Sequence, residues 1–177
     1  MANREALREL QKRLASRLQA ARSEGVSASW LAVKADGAHY LFPLAQSGEI
    51  FSLANLQPVP YAKSWFKGVV NLRGGLFGVV DLAGFIGNWS QPPKRTEQML
   101  AEASVVTLNA TMEVNCALLV DSLAGLRNAD AFTGSQPPPD DSPAFFGNRF
   151  SDAQGQVWQE INLRSLSQLP AFLGISA

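Results

Sequence analysis

The chain has 177 residues, with 15 basic and 15 acidic side chains and so no formal net charge. That length suits one domain, or two small lobes sharing a core, and buries roughly 70% of the surface the unfolded chain would expose. A neutral chain has no whole-molecule field to attract nucleic acid or an anionic membrane, so neither nucleic-acid binding nor direct membrane insertion is expected. The charge is uneven, however: residues 1–24 carry six basic against three acidic side chains, leaving +3 there and −3 over the remainder. Cys116 is the only cysteine, which leaves no disulfide framework or multi-thiolate metal site and favours a reducing compartment. No apolar run reaches the roughly 18 residues of a membrane span, and charges from Arg4 onward interrupt any signal-peptide core. A soluble, cytoplasmic protein is expected.

The stretch NREALRELQKRLASRLQAARSEG predicts a helix, capped by Asn3, with Glu5 in its first turn, Arg22 near its end and Gly25 as its stop. Leu7, Leu10, Leu14 and Leu18 recur at three- and four-residue spacing and form one apolar stripe. The stripe is expected to pack on the chain's own domain; partner docking and membrane-surface binding are the alternatives. Glu5, Glu9 and the lack of aromatic anchors weaken the membrane option. Residues 1–27 thus form a unit distinct from 28–177.

After Ser27 the helical spacing gives way to short segments rich in Val, Leu, Phe and Trp, the pattern of an all-β domain. Strands are predicted over 29–35, 38–44, 49–53, 68–72, 76–82, 103–110, 114–120, 144–150 and 156–162. Asp36-Gly37 fits a hairpin turn between the first two, and 153–155 a turn before the last. Short helices are predicted after Asp81 and after Leu163, with Pro170 breaking or restarting the second. Clustered prolines make 88–98 and 132–143 irregular. The piece between them offers two clear strands, too few to stand alone, so both are read as surface loops of one interlocked β unit.

No catalytic, cofactor or metal site emerges. A phosphate loop requires a glycine turn feeding a helix, followed by Lys and Ser or Thr, whereas RGGLFGVVDL continues into β-rich residues. His39 is the sole histidine, and no serine sits in a G-x-S-x-G elbow. One histidine and one thiol do not make a usual zinc site, and Asp140-Asp141 lack the alternating ligands of a calcium loop. Cys116, in VNCALLV, reads as a small buried hydrophobe.

The most informative stretch is GVVNLRGGLFGVVDL, residues 68–82. With Gly74-Gly75 as a two-residue turn, Arg73 would pair with Leu76, Leu72 with Phe77, Asn71 with Gly78 and Val70 with Val79. Alternation then gives a core face of Val70, Leu72, Phe77 and Val79, and a mixed face of Val69, Asn71, Arg73, Leu76, Gly78 and Val80. Gly78, without a side chain, would leave room beside Arg73 for a partner or another side chain. A guanidinium in a partly apolar setting needs a carboxylate, for which Glu49 is the candidate, unless it snorkels to solvent. Both outcomes are open.

These residues resemble the signature of CheW-like domains, whose strands read like G-V-x-N-L-R-G followed by an apolar strand ending in V-x-D-L. VPYAKSWFKGVVNLRG is similar to the family's approach to that motif, LLVDSLAGL to its second-lobe V-D-x-V pattern, and FFGNRFSDAQGQVWQEINLRSL to its closing strand, turn and strand. The resemblance covers roughly residues 29–168. It implies a mainly β fold of two interlocked SH3-like barrels of about five strands each over 28–177, preceded by the added helix. It also implies a non-catalytic adaptor without cofactor, coupling a methyl-accepting chemoreceptor to the regulatory domain of a CheA-type histidine kinase at inner-membrane receptor arrays. The tryptophan in VPYAKSW, the form VVNLRG and the N-terminal helix look most like adaptors of type IV pilus chemosensory systems, which control twitching motility. A flagellar chemotaxis adaptor and, from another class, a β-barrel small-ligand binder are the alternatives. Carried over, Asn71, Arg73 and Gly74 match the motif, Gly68 opens its strand near the receptor-facing region, and Glu49 stands where the family pairs a glutamate with its arginine. Val69, Leu76 and Val80 are expected to supply apolar contact. Two positions depart from the pattern: Gly78 where proline is common, and Ser47 where an apolar receptor-contacting residue is more usual.

Overall fold

The computed structural model describes residues 2–24, 29–87 and 95–174, with side chains of the N-terminal helix described over 4–16. Among these residues eleven strands form two sheets. The first contains β1 (Trp30–Ala35), β2 (Ala38–Pro43), β8 (Ser122–Arg127), β9 (Phe132–Gln136), β10 (Phe146–Asp152) and β11 (Val157–Ile161), in the order β8-β1-β2-β11-β10-β9. The second contains β3 (Ser47–Ser52), β4 (Phe66–Leu72), β5 (Gly75–Asp81), β6 (Ser104–Leu108) and β7 (Cys116–Val120), in the order β3-β6-β7-β5-β4. The chain therefore lays down two strands of the first sheet, completes the second, and returns to finish the first. That path interlocks the lobes.

Both sheets curl until their edges approach each other. Neighbouring strands lie about 4.8 Å apart, so strands four places apart in a flat sheet would be separated by about 19 Å. Trp30 on β1 and Phe132 on β9 are four places apart, yet their ring centroids lie 5.7 Å from each other. In the second sheet β3 and β4 are opposite edges, but the chain leaving β3 reaches β4 at once. Gln57 N–H donates to Val69 O at 2.8 Å, and Val69 N–H returns a bond to Gln57 O at 2.9 Å. Gly68 makes this closure possible: its φ is +138°, and a Cβ there would stand 2.2 Å from Gln57 O.

Side-chain alternation divides each strand between two interiors. Val79, Val105, Ala117 and Leu119 fill the second barrel, whereas their neighbours Val80, Val106 and Leu118 join Leu31, Phe42 and Ile161 in the core between the barrels. Strands buried on both faces read as unbroken apolar runs, as in CALLV, residues 116–120. The first barrel holds Ala32, Leu41 and Trp158, with Trp30, Phe132 and Phe150 packed around them. The inter-barrel core is filled by large side chains, which removes the space that a small-ligand binder of this shape would need between its lobes.

Helix α1 (Ala2–Glu24) docks beside β3, but not by the whole predicted stripe. Leu14 is buried in the inter-barrel core, worth about 2 kcal/mol for a side chain of that size. Gln11 is buried one turn earlier. Its Nε2 donates to Ser104 Oγ at 2.7 Å and its Oε1 accepts from Ser52 Oγ at 2.5 Å. Leu10 remains 48% exposed, and Leu18 and the Gly25 stop lie outside the described side chains and residues. The helix covers the edge that β3 would otherwise present to a second chain.

Several predicted elements are found near their expected bounds, including α2 (Leu82–Gly87) after Asp81, α4 (Leu163–Ser167), and α5 (Pro170–Leu173), which Pro170 opens at its first turn. Asp36-Gly37 is the β1–β2 turn, with Ala35 opposite Ala38. Among the described residues two strands and one α-helix were not foreseen. β8 is half-buried along its length and carries Gly125 at φ +93°, opposite a register shift in β1, so it lacks alternation. β9 occupies the start of the supposed 132–143 loop; beyond Phe132 it is an exposed, polar edge strand. α3 (Glu97–Glu102) begins inside the supposed 88–98 loop, with Thr96 Oγ1 accepting from Met99 N–H at 3.1 Å; residues 88–94 lie outside the described residues.

The β4–β5 register also differs from the one predicted. Leu72 faces Gly75, Asn71 faces Leu76, Val70 faces Phe77 and Val69 faces Gly78, so the turn residues are Arg73 and Gly74. Both have positive φ, +49° and +80°, as a type I′ turn requires. The shift moves each partner by two residues, so the two faces keep their membership.

Candidate protein-interaction site

Arg73 stands at the tip of the β4–β5 hairpin, at one end of the second barrel. Asn71 shapes the turn: its Oδ1 accepts from Gly74 N–H at 3.0 Å. Arg73 takes the left-handed conformation that glycine or asparagine adopts more readily, a strain of about 1 kcal/mol or more. Its Nε meets Glu49 Oε2 at 2.7 Å, and its guanidinium carbon lies 6.0 Å from the centroid of the Phe51 ring. Glu49 and Phe51 belong to β3, so the pair spans the seam where the barrel's two edge strands approach. The predicted partnership with Glu49 is present, but in the open: the side chains are 71% and 42% exposed. In water such a pair contributes about 1 kcal/mol or less, so it does not explain the strained turn as a device for stability.

Behind the pair lies a groove of about 480 Å³ whose lining includes Phe51, Leu72, Phe77, Asn109 and Glu113. Leu76, 62% exposed, stands on the other face of the hairpin opposite Asn71. The remaining predicted positions divide into supports and coverings. Val69 is half-buried and its backbone is engaged by Gln57. Gly68 is buried under the same segment. Val80 is buried in the inter-barrel core, so it offers no contact at the surface. The space beside Gly78 is occupied: a Cβ there would stand 2.9 Å from Cε2 of Phe66, so the glycine makes room for that ring and not for a partner. Ser47, in place of an apolar contact, is buried and its Oγ donates to Pro43 O at 2.9 Å. Glu49, Asn71, Arg73 and Gly74 are therefore the positions brought together at the hairpin tip and seam, with Leu76 exposed on the hairpin's other face.

A second charged group lies beneath the surface. Arg95 Nη1 meets Asp81 Oδ2 at 2.7 Å and its Nε meets Asp121 Oδ1 at 3.1 Å, with the Arg95 side chain 7% exposed and that of Asp81 fully buried. Burial works against the guanidinium's charge, but the hydrogen bond to Asp81, its charge and those of Asp121 outweigh it and raise the Arg95 pKa. Asp81 ends β5, and Asp121 is the single residue joining β7 to β8, where the chain crosses back to the first sheet. Asp121 Oδ2 also accepts from Asp36 N–H in the β1–β2 turn at 2.7 Å. Arg95 thus ties the two lobes at their crossing. Sequence reasoning passed over it because it sits beside a proline cluster and pairs across 14 and 26 residues; a lone aspartate closing the apolar strand GVVD was the available hint.

The thiol of Cys116 is buried and its pKa is pushed up to about 12, which leaves it inert at neutral pH. His39 packs edge-on against Trp158 at 4.7 Å; desolvation, then the charge of Lys34, lower its pKa while Asp152 opposes them. Neither is placed as an acid–base group of a catalytic pair.

Two interlocked barrels, a motif arginine at a hairpin tip and a glutamate across the seam define a class: the sequence matches the CheW-like domain over residues 29–170, and the chain belongs to that family. Among curated proteins, the chain is similar to Protein PilI of Pseudomonas aeruginosa, 26% identical over 167 residues, which covers 93% of this chain and 89% of that protein. Among solved structures it resembles the scaffolding protein TtCheW from Thermoanaerobacter tengcongensis, with a TM-score of 0.62 at 15% identity, over 82% of this chain and 96% of that one. The second likeness concerns the fold. Among the described residues the barrels have five and six strands, against about five expected for each.

Proposed function

We propose that this protein is a non-catalytic chemosensory adaptor that couples methyl-accepting receptors to a CheA-type histidine kinase, in the system that controls type IV pilus twitching. The observation that carries the reading is the exposed Glu49–Arg73 pair on a strained hairpin tip beside an apolar-lined groove. An arginine held in the left-handed region, contributing little to stability, is maintained for what it presents. Asn71 and Gly74 set the turn, Arg73 and Glu49 supply directed polar contact, and Leu76 supplies exposed apolar area. The groove, lined by Phe51, Leu72 and Phe77 with the charged pair at its rim, suits a modest and reversible protein contact. Likeness to PilI along most of both chains supports the pilus system over the flagellar one. No helix among the described residues is long and apolar enough to cross a membrane, which accords with a cytoplasmic adaptor recruited to receptor arrays at the inner membrane.

The experiment is a titration of the chain against the CheW-like regulatory domain of a CheA-type kinase from the same organism, followed by a second titration against a receptor's cytoplasmic tip. Saturable binding to both is expected. Binding to neither would remove the adaptor reading, and deletion that impairs swimming while sparing twitching would transfer it to the flagellar system.

A further inference from the structure

A groove of about 680 Å³ runs between α1 and α3, away from the hairpin site. Leu7, Leu10 and Ala101 give it an apolar floor, Arg4 stands on the α1 side, and Glu97 and Glu102 stand on the α3 side. Leu10 is 48% exposed, and Met99 and Leu100 on α3 are exposed as well. Arg4, Glu97 and Glu102 enter no ion pair among the described residues. One wall is therefore basic, the other acidic, and both are unneutralised. We propose that this groove is a self-association surface whose occupant is a second copy of this chain.

The occupant must present acid opposite Arg4, base opposite Glu97 and Glu102, and apolar surface between. The groove itself meets that description. A two-fold axis lying along the groove sets α1 of each copy over α3 of the other, so the basic wall of one meets the acidic wall of its mate, twice, around the paired apolar floors. Interfaces of this isologous kind have to be self-complementary, and a patch carrying both charges on either side of an apolar centre is. The uneven charge of the chain acts in the same direction. Residues 1–24 carry +3 and the rest −3, so the helix of one copy is attracted to the body of the other although the whole chain is neutral. The contact is small, at the weak end of specific interfaces, and so exchanges rapidly.

Sedimentation equilibrium of the full chain from roughly 10 μM to 1 mM, the range that suits so small a contact, tests this. A monomer–dimer equilibrium that weakens with added salt is expected. Leu10→Glu and Arg4→Glu should each weaken it at least tenfold, as should the doubly substituted Glu97→Arg/Glu102→Arg chain. Equimolar mixing of Arg4→Glu with Glu97→Arg/Glu102→Arg should restore the dimer, because each copy then meets the opposite charge on the other. Melting curves establish that every variant is folded. A chain that stays monomeric throughout, or one in which the charge reversals are rescued only when combined in the same molecule, would overturn the proposal, the latter by making the charges partners within one copy.

Discussion

Replacing Arg95 by methionine keeps much of its volume and removes its charge. Among the described residues Asp81 is then a fully buried carboxylate left with one hydrogen bond, from Gly84 N–H at 3.3 Å, and the nearby charge of Lys67, while Asp121 keeps its bond from Asp36 N–H. Breaking a buried ion pair from one side costs about 3–5 kcal/mol, most of it the penalty of the charge left behind. A domain of this length loses about 2–4 °C in melting temperature per kcal/mol, so a fall of about 6–20 °C is expected. Because the cost lies in the orphaned charge, Arg95→Met combined with Asp81→Asn should recover much of it. Chemical denaturation of the wild type, the two single variants and the double variant yields the coupling energy directly. A loss below about 1 kcal/mol for Arg95→Met, or additive effects of the two substitutions, would refute the view that this group fastens the lobes.

Three further outcomes follow from the same geometry. Gly68→Ala should lower stability by about 2 kcal/mol or more in urea denaturation, since φ of +138° and the carbonyl of Gln57 leave no place for a methyl group; it should also promote aggregation by opening the β4 edge. Cys116 should react with a thiol reagent no faster than the protein unfolds, measured by the release of chromophore in native buffer and in urea. His39, with a folded pKa below its ordinary 6.5, binds its proton more weakly in the native state, so its contribution to stability is complete above pH 6.5 and declines as pH falls through that value. His39→Gln should flatten this part of the stability profile, read as melting temperature against pH between about 7 and 5.

What could be read from the sequence depended on whether a local pattern reported a local fact. The strands buried on two faces announced themselves as apolar runs, and the Asp36-Gly37 turn carried its own conformational preference. β8 and β9 did not, the first because a glycine bulge breaks its alternation and the second because a polar edge strand resembles a loop. The hairpin at Arg73 was placed two residues out of register because the adjacent glycines favoured a Gly74-Gly75 turn. The bond from Gly74 N–H to Asn71 and the pairing of Val70 with Phe77 place Arg73 in the turn instead. Glu49 was legible as a candidate partner of Arg73 from the need for a carboxylate and again from the family resemblance, whereas pairing and exposure together were not, since they depend on how the barrel closes. Arg95 was invisible for the same reason: its carboxylates come together only when both lobes are built.

The proposed adaptor role requires that Arg73 be kept in its strained turn for recognition and not for the fold. Arg73→Asn tests it, because asparagine adopts the left-handed conformation easily and loses an exposed ion pair and the approach to the Phe51 ring, each worth about 1 kcal/mol or less. In a reconstituted mixture of receptor, kinase and adaptor, the variant should melt within a few degrees of the wild type or above it, yet lose receptor-stimulated kinase autophosphorylation. Undiminished stimulation by the folded variant would contradict the claim.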